Sequence, residues 1–403
     1  MSRIFISKSI GILAAVVAAT IVQACDRSTT EALGRMQLSG GADSAPPSVS
    51  LVVAASHTCA LTTAGAAYCW GYTVEQPDGT ETPVVNPTAV QTPSGVAFQT
   101  LSVSKVDNVT CAVATTGAAY CWGDNDHGQL GDGTKTQHAT PVAVAGGLVF
   151  KSIAVGDAHV CGVTTNGAAY CWGFSANGAF GDGSVGEHLT PTPSAPGLAF
   201  QSVVAGSDFT CGLTTTGVAY CWGLGNNGQL GDGKGRTSAS PVVVAGNLSF
   251  RSLVGGGLGA CGLTDGGKGY CWGNDFFGTV GDGSSATEDG VARRAAPTAV
   301  AGDMAFASLA AGYLTVCGVK ASGAGFCWGA NDEGAVGDGS FDHHSSPVAV
   351  AGGLTFRSIS SGTGYSCGIV LSSALYCWGD NSDGGLGDGT VLSQPVPIPV
   401  PWP

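Results

Sequence analysis

Positive charge is scarce in this chain of 403 residues: 15 Lys and Arg stand against 28 Asp and Glu, a net charge of −13. A surface of that sign repels phosphate backbones, so nucleic acid is not expected as a partner. Long apolar runs are missing after the first two dozen residues, charged residues total only 11%, and methionine occurs three times. That composition leaves no material for a helical solenoid. Catalytic and metal-binding spacings are also lacking, with no H-E-x-x-H pair and no C-x2-C ligand pair. The seven histidines are scattered; His57 and His159 share a repeat position that other units are read as filling with Asn108, Phe209 or Gly259, which reads as structural, and His343-His344 falls in a polar loop and reads as solvated. No cofactor, metal site or catalytic residue is expected.

Cysteine and glycine are abundant instead. Fourteen of the 15 cysteines form seven pairs of identical spacing: Cys59 with Cys69, Cys111 with Cys121, Cys161 with Cys171, Cys211 with Cys221, Cys261 with Cys271, Cys317 with Cys327 and Cys367 with Cys377, each pair followed by Trp-Gly. Successive first cysteines lie 52, 50, 50, 50, 56 and 50 residues apart. A period near 50, with strand-like segments broken by Gly, Pro, Asn and Asp, leaves room for about four short strands per unit, which is one propeller blade. Seven blades form a ring.

The N-terminus is built differently. Arg3 and Lys8 precede an apolar run from Ile10 to Ile21, which reads as an export signal over residues 1–24. Ile21-Val22-Gln23-Ala24-Cys25 resembles a bacterial lipobox, which makes Cys25 the expected lipid anchor and places the protein in the cell envelope, or in the medium if Cys25 is not acylated. Losing the signal removes Arg3 and Lys8 and moves the charge from −13 to −15. Residues 25–48, ending in Ala45-Pro46-Pro47-Ser48, read as a lipidated flexible tether, and 49–403 as the folded domain.

Pairing Cys59 with Cys69 sets Leu61 opposite Ala67 and leaves Thr63-Ala64-Gly65 as a three-residue turn with Gly65 at a positive-φ position. Gly117, Gly167, Gly217, Gly267 and Gly323 repeat it, while the seventh hairpin has Leu371-Ser372-Ser373 and must carry a strained turn or a different loop. The other face opposes small residues such as Ala60 and Gly162 to Tyr68 and Tyr170, whose rings are expected to lie over them. Export favours disulfides for the paired cysteines, within a blade if this register holds; bridges between blades and metal binding are the alternatives.

Segments such as Cys111-Ala112-Val113-Ala114-Thr115-Thr116-Gly117-Ala118-Ala119-Tyr120-Cys121-Trp122-Gly123, continuing to Gly131-Asp132-Gly133, resemble the repeat of the regulator of chromosome condensation family. The resemblance covers residues 49–403 and implies an all-β fold, a seven-bladed β-propeller of four-stranded blades. The chain ends on Pro397-Ile398-Pro399-Val400, matching Pro141-Val142-Ala143-Val144, and opens its repeats on Val49 to Val53. The expectation is that these terminal strands share one composite blade. Loops such as Asp380-Asn381-Ser382-Asp383-Gly384 carry oxygen ligands but lack the closing acid of a calcium loop, so they read as turns.

With no catalytic constellation, the expected function is an envelope-anchored, non-enzymatic, monomeric scaffold or adhesin for an unidentified protein partner, touching the membrane only through its lipid. Three alternatives follow: an inhibitor or regulator of a secreted enzyme; a carbohydrate binder, for which Trp402 is the one indole outside the Trp-Gly set; and, by resemblance alone, nucleotide exchange on a small GTPase. Loops that break the repeat are the first candidates for a partner site. The fifth unit is expanded between Ser284 and Ala296, bringing Glu288, Asp289, Arg293 and Arg294; the stretch Tyr72 to Pro93 is the second candidate.

Overall fold

The computed structural model describes residues 48–74, 83–91, 95–284 and 292–401. Cys25 and Trp402 lie outside them. Seven antiparallel sheets each contain four consecutive strands, innermost to outermost in chain order. The blades span residues 48–91, 98–143, 150–194, 200–243, 250–299, 306–349 and 356–399. Each second strand is built from small and apolar residues on both faces, as in Val109-Thr110-Cys111-Ala112-Val113-Ala114, which is buried throughout. Such a strand has no solvent face and is sandwiched between neighbouring blades. The innermost strands line an axial cavity of about 260 Å³ walled by Leu101, Ile153, Val203 and their equivalents.

The cysteine register is as expected. Cys59 pairs with Cys69, Ala60 with Tyr68 and Leu61 with Ala67. Seven disulfides join Cys59 to Cys69, Cys111 to Cys121, Cys161 to Cys171, Cys211 to Cys221, Cys261 to Cys271, Cys317 to Cys327 and Cys367 to Cys377, at Cα separations of 4.0–4.1 Å. Each closes within its own blade, between the second and third strands, so of the two bridging patterns the sequence allowed, the one between blades is set aside. The close approach marks the non-hydrogen-bonded pair, where opposed strands come nearest. Gly65 takes φ 81°, and in the seventh hairpin Ser373 is forced to φ 70°. Ser373→Gly is therefore expected to raise stability by about 1 kcal/mol, since a non-glycine residue in the left-handed region costs of that order; urea unfolding of the two proteins checks it.

Two expectations need correction. The ring that demands a small residue at position 162 is Phe150 of the innermost strand, not Tyr170: a Cβ on Gly162 would stand 2.6 Å from the Phe150 ring. Gly212, Gly262, Gly318 and Gly368 meet Phe200, Phe250, Phe306 and Phe356 in the same way. There is also no composite blade. Strands Ser48–Val53, His57–Thr62, Ala67–Val74 and Pro83–Gln91 form the first blade alone, and the last blade is likewise contiguous.

The ring closes by a contact that recurs between blades. Trp172 donates its indole N–H to Gln129 O of the preceding blade at 2.8 Å, and Trp222, Trp272, Trp328 and Trp378 repeat this. At the seam Trp70 of the first blade donates to Gly385 O of the last at 2.9 Å. A second brace is particular to the seam. The turn between the first two strands of blade 2 is two residues longer than its equivalents, which accounts for the 52-residue interval, and it carries Lys105. Its ammonium donates to Val53 O at 2.6 Å and Ser361 O at 2.7 Å, tying blades 1, 2 and 7 together. Burial lowers its pKa to about 8.

Buried histidines brace other joints. His57 Nε2 lies 2.9 Å from Thr110 Oγ1 and His159 Nε2 3.0 Å from Thr210 Oγ1, each across a blade boundary. Burial pushes both pKa values down to about 4, with Lys105 adding to the effect at His57. The unfolded chain therefore binds protons that the fold refuses, and stability is lost as pH falls from about 6.5 towards 4. Between about pH 7 and 4.5 the loss is about 2 kcal/mol per histidine. Asp157 and Asp275, raised to about 6, act in the opposite sense over the same window. The double variant His57→Gln, His159→Gln is expected to lose markedly less stability on acidification than the wild type; equal losses in urea titrations at the two pH values would remove the histidines from the account.

Candidate partner-binding face

Antiparallel strands alternate direction, so the turn between strands one and two and the loop between strands three and four emerge on the same side of the disc. That side carries the long loops. Of the two segments singled out by their irregularity, residues 75–82 and 285–291, with Glu288 and Asp289 among them, lie outside the described residues. The opposite side carries only the short hairpins and the links between blades.

Charge is segregated between the two sides. Of the twenty described carboxylates, eighteen lie on the loop side, and only Asp265 and Asp303 on the other. Six of the eleven described Lys and Arg share the loop side, while Lys151, Arg251, Lys268, Lys320 and Arg357 occupy the hairpin side. The disc thus has one strongly acidic face and one weakly basic face. In the turn between the first two strands of blade 3, burial raises Asp157 to about 6, with Asp107 and Asp208 adding to the effect against a hydrogen bond from Ser207.

Many of the repeated polar residues are committed to holding their own loops. Asn125 Oδ1 accepts from Leu130 N at 3.0 Å and its Nδ2 donates to Thr136 O at 2.8 Å; Asn331 and Asn381 do the same work. The Asp of the Gly-Asp-Gly turn accepts the backbone N–H two residues on, as Asp132 does from Thr134. Among the described residues, no group of three His, Cys, Asp or Glu is assembled to hold a metal.

Arg294 is also committed. In the fifth blade Asp275 replaces the loop asparagine, and Arg294 lies 3.1 Å from Asp275 Oδ2 and 2.7 Å from Asp282 Oδ2, with only 13% of its side chain exposed. It neutralises a buried acid, whose pKa burial still raises to about 6. Arg293 donates to Asn226 O of blade 4 at 3.0 Å and docks against that loop. The adjacent arginines are therefore held inward by structural bonds. The Asp at an Asn position was the sequence signal for this.

Two motif matches passed over in the sequence turn out to be inert by position. Gly364-Tyr365-Ser366-Cys367-Gly368 spells G-x-S-x-G, but Ser366 sits within a strand, hydrogen-bonded to Ala335 O, and Cys367 is in a disulfide. Gly228 to Lys234 spells G-x-x-x-x-G-K, but Gly235 replaces the Ser or Thr and no helix follows.

What the sequence reading missed is apolar. Where other blades place polar pairs such as Asp126-His127 or Asp332-Glu333, blade 5 has Phe276 and Phe277, 56% and 40% exposed. Phe277 holds φ 61° and packs its ring at 4.4 Å on His343 of blade 6, which is therefore not simply solvated. Phe341, 57% exposed, stands two residues before it. Next to this patch a cavity of about 170 Å³ opens between blades 6 and 7, lined by Tyr313, Asp332, Glu333 and Thr363.

Comparison with known proteins agrees with the architecture. A family profile for the RCC1-like domain matches residues 26–367. The human E3 ubiquitin-protein ligase HERC2 is 33% identical over 109 residues, which are 26% of this chain and 2% of that protein, so the chain spans a small fraction of that relative. Among solved structures, human WBSCR16 superposes with TM-score 0.72 at 18% identity, over 84% of this chain and 94% of that one. Prp20p from Saccharomyces cerevisiae gives 0.72 at 22% identity, over 85% and 87%. The ectodomain of the Physcomitrella patens receptor kinase CR4 gives 0.52 at 22%, over 82% and 74%. At these identities the structures show a shared fold.

Proposed function

The chain belongs to the RCC1-like domain family, and from that premise we propose that it is an envelope-anchored, non-enzymatic scaffold that holds a basic protein partner against its acidic loop face. The segregation of charge carries this reading: eighteen carboxylates on one side of a rigid, disulfide-stapled disc create a field that attracts and orients a cationic surface. Prp20p, similar in fold, was described together with its binding to Gsp1p and histones, a precedent for a propeller of this shape serving as a protein-binding surface. The lipobox at Cys25 supplies the anchor and the export signal supplies the compartment. Exchange on a small GTPase ranks lower, because an exported chain does not meet a cytosolic GTPase.

Affinity capture tests the reading. The ectodomain from residue 26 and its variant Asp107→Asn, Asp126→Asn, Asp383→Asn are each used as bait against envelope and culture fractions at low and moderate salt. A protein retained by the wild type, weakened by salt and weakened by neutralisation is expected. A partner retained equally by both, and lost instead on neutralising Lys268 and Lys320, would move the site to the hairpin face.

A further inference from the structure

We propose that the sector of the loop face around blade 6 recognises a peptide segment in which one Lys or Arg lies a few residues from an apolar side chain. The cation would sit in the cavity between Tyr313, Asp332 and Glu333, and the apolar side chain over Phe277 and Phe341. This rests on the reading of the loop face as the partner surface and gives it a sequence requirement.

Three observations converge there. The 170 Å³ cavity is lined by two acidic residues, Asp332 and Glu333, beside Tyr313, so it favours a cation by charge. Among the described residues neither carboxylate is paired with a Lys or Arg; Asp332 meets only His343, at 3.5 Å, and is 69% exposed. The aromatic patch is contiguous with the cavity, because the His343 that approaches Asp332 on one side packs on Phe277 on the other. Three phenylalanines at 40–57% exposure within one sector of a polar face are the kind of anchors that dominate protein interfaces. Charge complementarity selects the occupant: a purely apolar segment would leave the carboxylates desolvated and unpaired, and a purely basic one would leave the rings in water.

The test uses fluorescently labelled 12-residue peptides on a Gly-Ser background, with one Arg and one Leu at separations of one to five residues, titrated into the ectodomain from residue 26. Control peptides keep only the Arg or only the Leu. Binding is expected to need both residues and to peak at one separation, and Phe277→Gly and Glu333→Gln should each weaken it about tenfold. Phe277→Gly should keep its fold, because φ 61° suits glycine, and Glu333 is an exposed side chain, so each variant serves as a control for the other. Equal binding of the Arg-only peptide, no binding of any peptide, or binding indifferent to both substitutions would overturn the proposal. Phe277→Gly and Glu333→Gln baits that still capture a partner sensitive to Asp107, Asp126 and Asp383 would sink this sector while leaving the loop-face reading intact.

Discussion

Reduction of the disulfides in denaturant, followed by removal of the denaturant alone, is expected to leave a chain that does not regain the propeller. Each bridge closes a short loop, with a sequence separation of 10, worth about 3 kcal/mol in the chain-entropy model. Seven such terms, even heavily discounted for non-additivity, exceed the roughly 5–15 kcal/mol that a whole domain retains. Every bridged cysteine is also 9% exposed or less, so the native protein should resist reductant until it unfolds. Intact-mass analysis after alkylation should show no modified repeat cysteine in the unreduced native protein and all of them modified after reduction in guanidinium. A reduced chain that refolds with a Tm within a few degrees of the oxidised one would mean that blade packing alone suffices.

The second large effect lies at the ring seam, and a matched pair of glycines isolates it. Gly387 and Gly389 both hold positive φ, 72° and 84°, so alanine at either position costs about 1 kcal/mol in backbone strain. Their surroundings differ. A Cβ on Gly387 would stand 2.4 Å from Trp70 Nε1, whereas one on Gly389 meets nothing within 4 Å. Gly387→Ala must displace a fully buried indole and break its bond to Gly385 O, adding about 2–4 kcal/mol for overpacking and the lost donor. Because Trp70 joins the first blade to the last, hydrogen exchange should rise in blades 1 and 7 before the others. Equal costs for the two variants in urea unfolding would remove the indole contact from ring closure.

Local structure was legible because the side-chain alternation of a strand is strict. Opposing Cys59 to Cys69 fixes every other pair in the hairpin, and the pairs ending in Cys121, Cys171, Cys221, Cys271, Cys327 and Cys377 repeat the test. The same repetition could have corrected the composite blade. Val90 pairs with Cys69 as Val142 pairs with Cys121 and Ile398 with Cys377, so Ala89 stands where the other units have Pro141, Pro191, Pro241, Pro297, Pro347 and Pro397; seven complete sets of strands were present and none needed sharing. The alanine in place of that proline, after an irregular stretch, hid the seventh set. The charge segregation was invisible in composition because it depends on which ends of the strands carry the loops. Phe276 and Phe277 leave no mark on the repeat spacing, because they are substitutions at constant length. Arg294 was overvalued because its counter-charge, Asp275, lies 19 positions back in sequence and only the fold brings them together.

A footprint of whatever protein the affinity capture yields on the oxidised chain from residue 26, by hydrogen exchange or hydroxyl-radical labelling, tests the central claim most directly. Protection is expected on the loop face, with Phe277, Asp332, Glu333 and Phe341 among the protected residues and the hairpin turns at Gly167, Gly217 and Gly267 unchanged. Protection of those hairpins with the loop face left open would contradict the account.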